Sequence, residues 1–114
     1  MDEQKLLMRI RNKADSEKLM INSLMYFAGD TAIYTVNDLV RQKSRLVMAW
    51  LEEETLKTKN LYEPEGTLTI GKVFKKSEKD AMLIMTSDGT VVIISTKDPK
   101  GVDPQITRKQ SNPQ

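Results

Sequence analysis

Residues 81–96 read AMLIMTSDGTVVIIST, two apolar, β-branched runs joined across Asp88-Gly89. Asp-Gly between such runs is a strong short-range hairpin signal, because a two-residue type I′ turn needs positive φ at both central positions. The pair constrains this chain more than any other feature. It sets a strand register, and a register assigns every side chain to one face of a sheet. Upstream, Thr67-Leu68-Thr69-Ile70 alternates, Lys72-Val73-Phe74 continues the pattern, and Ser77-Glu78-Lys79-Asp80 is a polar turn. The expectation is a three-stranded antiparallel β-meander over about 67–76, 81–87 and 90–96.

With a two-residue turn, Thr86 opposes Val91, Met85 opposes Val92 and Ile84 opposes Ile93. The polar turn before it sets Phe74 opposite Leu83 and Val73 opposite Ile84. One face then carries Leu68, Ile70, Phe74, Leu83, Met85, Val92 and Ile94, and is expected to be the core face. The other carries Val73, Met82, Ile84, Val91 and Ile93, with Thr86. A sheet wetted on one side alternates apolar and polar residues, and this one does not. A second apolar face needs a cover: a helix, a second copy of the chain, or a different protein. Val73, Met82, Ile84, Val91 and Ile93 are therefore the candidate interface residues.

Residues 2–28 lack Gly and Pro and are rich in Lys, Glu, Leu and Met, which favour helix. At 100° per residue Leu6, Ile10, Ala14, Met20, Ile21, Leu24, Met25 and Ala28 share one broad face. A continuous helix fits, as do two helices broken near residues 12–15, and Gly29 would stop the last turn. Thr35-Val36-Asn37-Asp38 resembles a capping box. After it Val36, Leu39, Val40, Leu46, Val47, Trp50 and Leu51 share a face, which predicts a second helix over about 36–58. The fold class expected is α+β: a helical hairpin (about 2–28 and 36–58) packed on the meander. Residues 1–97 would form one domain, and the Pro-containing, polar segment 98–114 a disordered tail.

The composition excludes much chemistry. The 114 residues include no Cys and no His. Disulfide frameworks, Cys or His metal centres, thiol nucleophiles and His-based triads are all ruled out. Glycines occur singly, with no phosphate-binding loop or dinucleotide fingerprint. Glu52-Glu53-Glu54 would diverge by 100° per residue on a helix and form no cation site alone. No cofactor or metal is expected, and enzyme is the class supported least. The first eighteen residues do not form a signal peptide, and no run is long enough to span a membrane, so a cytoplasmic protein is expected.

Two charges fall inside the expected helical stripes, Glu17 and Lys43. A buried charge is seldom left alone, so the economical expectation is that they pair, within the chain or across subunits. Lys+Arg number 18 and Asp+Glu 16, giving a formal net charge of +2. Arg41 and Arg45 would lie one turn apart on the second helix, with Lys72, Lys75, Lys76 and Lys79 on the first strand and its turn. That element order has the outline of a winged helix, with base-reading arginines and phosphate-contacting lysines. The leading expectation is a non-catalytic binding or assembly protein that pairs with itself through the second sheet face, or with a protein partner. The alternative is a nucleic-acid-binding regulator using Arg41 and Arg45.

Overall fold

The computed structural model describes residues 3–21, 25–64, 70–76 and 80–108, and within β6 and β9 no side-chain placement at 71, 72, 75, 76 and 108. It has one helix, α1 (Glu3–Ser16), and nine strands. These are β1 (Leu19–Ile21), β2 (Tyr26–Ala28), β3 (Thr31–Asp38), β4 (Lys43–Glu52), β5 (Thr55–Tyr62), β6 (Ile70–Lys76), β7 (Ala81–Thr86), β8 (Thr90–Ser95) and β9 (Gln105–Arg108). Sheet A is five-stranded in the order β1-β3-β4-β5, with β2 on the same edge of β3 as β1. Sheet B is four-stranded in the order β6-β7-β8-β9. All pairings are antiparallel.

This overturns the helical hairpin. Helix α1 stops at Ser16, where Lys18 enters the left-handed region at φ 58° and donates its N–H to Asp15 O. The sequence then continues as short strands, and Ala28-Gly29-Asp30-Thr31 is a tight hairpin, not a helix end. Gly29 takes φ +61° at the first turn position, which glycine adopts without Cβ strain. The expected helix over 36–58 is the end of β3, all of β4 and most of β5. Leu39 and Val40 lie exposed in the β3–β4 turn, where Asp38 Oδ1 accepts the Val40 and Arg41 N–H groups.

The reason is burial on both faces of sheet A. Along β3 and β4 alternate residues enter two different cores. Ile33, Leu46 and Met48 pack with Ala28 and Leu61 against Met82, Ile84, Val92 and Ile94 of sheet B. Ala32, Tyr34, Val36, Val47 and Ala49 pack under Leu6 and Ile10 of α1. Ala32 and Ala49 are paired across β3 and β4, and two small side chains side by side let the helix approach. A strand covered on both sides reads as a continuous apolar run. The result is three layers, helix on sheet on sheet. The 19 Å shortest extent of the Cα atoms matches two layer spacings of about 10 Å.

The meander is present, with a fourth strand. Val73 opposes Ile84 and Phe74 opposes Leu83, as expected. The β7–β8 register differs by one residue: Met85 opposes Val91, and Ile84 opposes Val92. The turn is Ser87-Asp88-Gly89, closed by Gly89 N–H to Thr86 O at 3.1 Å, with Gly89 at φ +86°. A three-residue loop with glycine in the last, positive-φ position is the next commonest hairpin after the two-residue form. Residues 98–114, expected as a loose tail, include β9 paired with β8 from Thr90↔Arg108 to Ile93↔Gln105. Lys100 to Asp30 and Lys59 to Asp103, each at 3.0 Å, tie the segment before β9 to sheet A. No helix among the described residues is long and apolar enough to cross a membrane.

Candidate binding face

Because β7 and β8 slip by one residue, the expected faces of β6 and β7 are exchanged. Met82 and Ile84 are fully buried between the sheets, and Val73 packs against them. These three expected interface residues belong to the core. Val91 and Ile93 lie on the opposite face and are half-buried. Their row neighbours in register are Met85 with Lys72, and Leu83 with Phe74. Phe74 is 47% and Met85 40% exposed. Sheet B therefore does carry a second apolar face, made by Phe74, Leu83, Met85, Val91 and Ile93.

Toward β9 the rows end in Gln105 and Thr107, both exposed. Beside Ile93 the face deepens into an open groove of about 370 Å³ whose lining includes Ala81, Val102 and Gln105 and the charged Asp80, Lys97 and Asp103. On the central strands β7 and β8 the face carries no charge, while the register sets Lys72 in the Met85 row at the β6 edge. Among the described residues no cluster of three or more carboxylates could hold a metal ion.

One end of the sandwich is tied by a polar network that sequence reasoning missed. The Tyr62 hydroxyl, from β5, donates to Asp88 Oδ2 at 2.6 Å, and Thr90 Oγ1 donates to the Tyr62 hydroxyl at 3.1 Å. Thr86 Oγ1 lies 2.5 Å from Asp88 Oδ1, which also accepts the Thr90 N–H at 3.1 Å. Burial would raise the Asp88 carboxyl, but the hydrogen bonds from Thr86, Tyr62 and Thr90 outweigh it and hold it down at about 2. The network joins sheet A to the β7–β8 turn and explains why Asp88 occupies the middle of that turn.

The remaining expected residues are dispersed. Glu17 pairs with Lys13 at 2.7 Å, whereas Lys43 is exposed at the start of β4 opposite Asp38. The stripes that would have brought Glu17 and Lys43 together do not exist. Arg41 sits in the β3–β4 turn and Arg45 on β4, so neither is on a reading helix. Arg45 faces the α1 side of sheet A, since it lines a cavity with Ile10 and Ala14. Lys72, Lys75 and Lys76 fall on β6, in the sheet on the other side, and Lys79 lies outside the described residues. The winged-helix outline is thereby removed. Comparisons of this chain with protein-family models, curated proteins and solved structures gave no match.

Proposed function

We propose that this chain is a non-catalytic binding protein, acting in the cytoplasm, that associates with a second copy of itself through the outer face of sheet B. The observation that carries the reading is the uncharged apolar field of Phe74, Leu83, Met85, Val91 and Ile93, left open on a sheet whose other face is covered. A two-fold contact lays a face onto itself, so any charge at its centre would meet its like. A field whose central strands carry no charge, with Lys72 at its β6 edge, suits that geometry. Three strands about 4.8 Å apart and about five residues long give an apolar patch on the order of 250 Å² in projection. That is less than the roughly 800 Å² a partner contributes to a standard interface. The dimer expected is therefore weak, forming at micromolar concentration and above.

The test is sedimentation velocity across a concentration series, on the wild type and on Met85→Glu. Met85 is exposed, so the charge is tolerated by the fold and opposes only the contact. Concentration-dependent dimerisation that Met85→Glu abolishes supports the reading. A wild type monomeric at hundreds of micromolar overturns it. So does a dimer that Met85→Glu leaves intact, since it would be held elsewhere, for example by a strand edge.

A further inference from the structure

Among the described residues, the Nε of Arg45 is a buried polar atom without a hydrogen-bond partner. Leaving a buried donor of a charged group unsatisfied is costly, so the position calls for an acceptor. Arg45 lies on β4 opposite Val36, half-buried, on the α1 side of sheet A. There it lines a cavity of about 40 Å³ beneath the C-terminal half of α1, together with Tyr34, Thr58, Asn60 and Glu17. Tyr34 is 4% exposed. Burial pushes the Tyr34 phenol up to about 12, with Arg45 pulling it down and Glu17 adding to the rise. It is thus a protonated donor at neutral pH.

Glu17 is the carboxylate in this cavity, and it is held by Lys13 at 2.7 Å. Arg45 and Val36 also line a second cavity, of about 90 Å³, with Arg41, Lys43, Asp38 and Glu63. In that cavity Asp38 is engaged: Oδ1 accepts the Val40 and Arg41 N–H groups, and Oδ2 lies 3.9 Å from Arg41 Nε. Lys43 and Arg45 therefore face Glu63 as the remaining anion.

We propose that Tyr34, Arg45 and Asn60 form a binding site for the carboxylate of a small organic acid, with the body of the ligand lying toward Arg41 and Lys43. The donor set fits the group. A guanidinium presents parallel N–H donors that match the two oxygens of a planar carboxylate. A phenol O–H and a primary amide add neutral donors to the same oxygens. One water needs roughly 10–15 Å³ of such space, so the first cavity admits a few heavy atoms and no ring. The second cavity, where Arg41 and Lys43 stand with Asp38 and Glu63, takes the rest of the acid.

The probe is sodium succinate, added to protein labelled with ¹⁵N in arginine, with the Arg45 Nε–H signal read by NMR. The expected result is a saturable shift of that signal that sodium chloride at matched ionic strength does not produce. Tyr34→Phe keeps the buried ring and should weaken binding roughly tenfold, the worth of one hydrogen bond of about 1.4 kcal/mol. The proposal is overturned by no shift, by an equal shift in chloride, or by unchanged affinity in Tyr34→Phe. Tighter binding of inorganic phosphate than of succinate overturns the carboxylate assignment. A change of the Arg45 signal in Glu17→Gln before any ligand is added also overturns it, because Glu17 would then be the native partner.

Discussion

Glu53 and Glu54 form the two-residue turn between β4 and β5, with φ of 50° and 70°. Positive φ at both central residues is the type I′ geometry, where Asn-Gly is the favoured pair. A residue with a Cβ in the left-handed region costs roughly 1–2 kcal/mol. Replacing Glu53-Glu54 by Asn-Gly relieves most of that at both positions. It also removes the contact of Glu54 with Lys5, whose hydrogen bond and charge hold the Glu54 carboxyl below its ordinary range, and the weaker pull of Arg9 at 3.8 Å. Glu54 is two-thirds exposed in this contact, so solvent screens it and its loss is small. The double variant should be more stable than wild type by about 1–2 kcal/mol, a rise in Tm of roughly 4–8 °C for a domain of this size. Paired urea and thermal unfolding curves measure it, with Glu54→Gln as the control that removes the ion pair alone. The sign is diagnostic of the fold. On a helix over 36–58 the same Asn-Gly pair would destabilise by about 1 kcal/mol or more, from helix propensity alone. A double variant less stable than wild type would refute both the turn geometry and the reasoning from it.

Ile84→Ala, in the core between the sheets, should cost about 2–5 kcal/mol, while Met85→Ala on the outer face should change stability by about 0.5 kcal/mol or less; the reverse order in denaturant unfolding would mean the β7 faces are exchanged. Tyr62→Phe should cost on the order of 1 kcal/mol, because Asp88 is largely exposed and its hydrogen bonds are discounted accordingly. The folded Asp88 carboxyl lies at about 2, below its ordinary 3.8, so its contribution is complete above that value and is lost as pH falls through about 2. The gap in stability between wild type and Asp88→Asn should therefore close on acidification, and a gap independent of pH would exclude the network as its source. Deleting residues 98–114 removes β9 and the ties from Lys100 and Lys59, and should lower stability by roughly 1–3 kcal/mol; an unchanged Tm would mean β9 adds nothing to sheet B.

What could be read from the sequence depended on how many faces of an element are buried. The meander was legible because polar turns bracket its strands, and the β6–β7 pairing followed from the polar residues 77–80. The helix over 3–16 was legible from Leu6, Ile10 and Ala14 at helical spacing. β4 was not. Ser44 to Ala49 is buried at every position but Arg45, which is half-buried, so no alternation marks the strand. Apolar residues at nearly every position satisfy a helical stripe as well as a strand. The turn that should have broken the pattern is Glu53-Glu54, two helix-favouring residues in place of the Asn or Gly its backbone prefers. The β-branched Thr31, Ile33, Thr35 and Val36 were the available counter-signal, outweighed by the cap-like Thr35 to Asp38.

The binding face shows how a small local choice decides a functional assignment. Both faces of the meander are apolar in sequence, so patterning establishes that one is surplus without saying which. The choice rests on whether the β7–β8 loop holds two residues or three. Asp88 settles it physically: its carboxylate accepts hydrogen bonds from Thr86, Thr90 and Tyr62 only from the middle of a three-residue turn that leaves the last, positive-φ position to Gly89. Tyr62 comes from the other sheet, so the register of sheet B is set in part by a contact that no local pattern encodes. Given that register, Val92 and Ile94 of β8 share the core face with Met82 and Ile84, while Leu83 and Met85 join Val91 and Ile93 outside. On the outer face Leu83 then lies between Phe74 and Ile93, and Met85 beside Val91, apolar against apolar, with Lys72, Gln105 and Thr107 at the edges, and this arrangement turns an unplaced surplus of hydrophobic residues into one continuous surface.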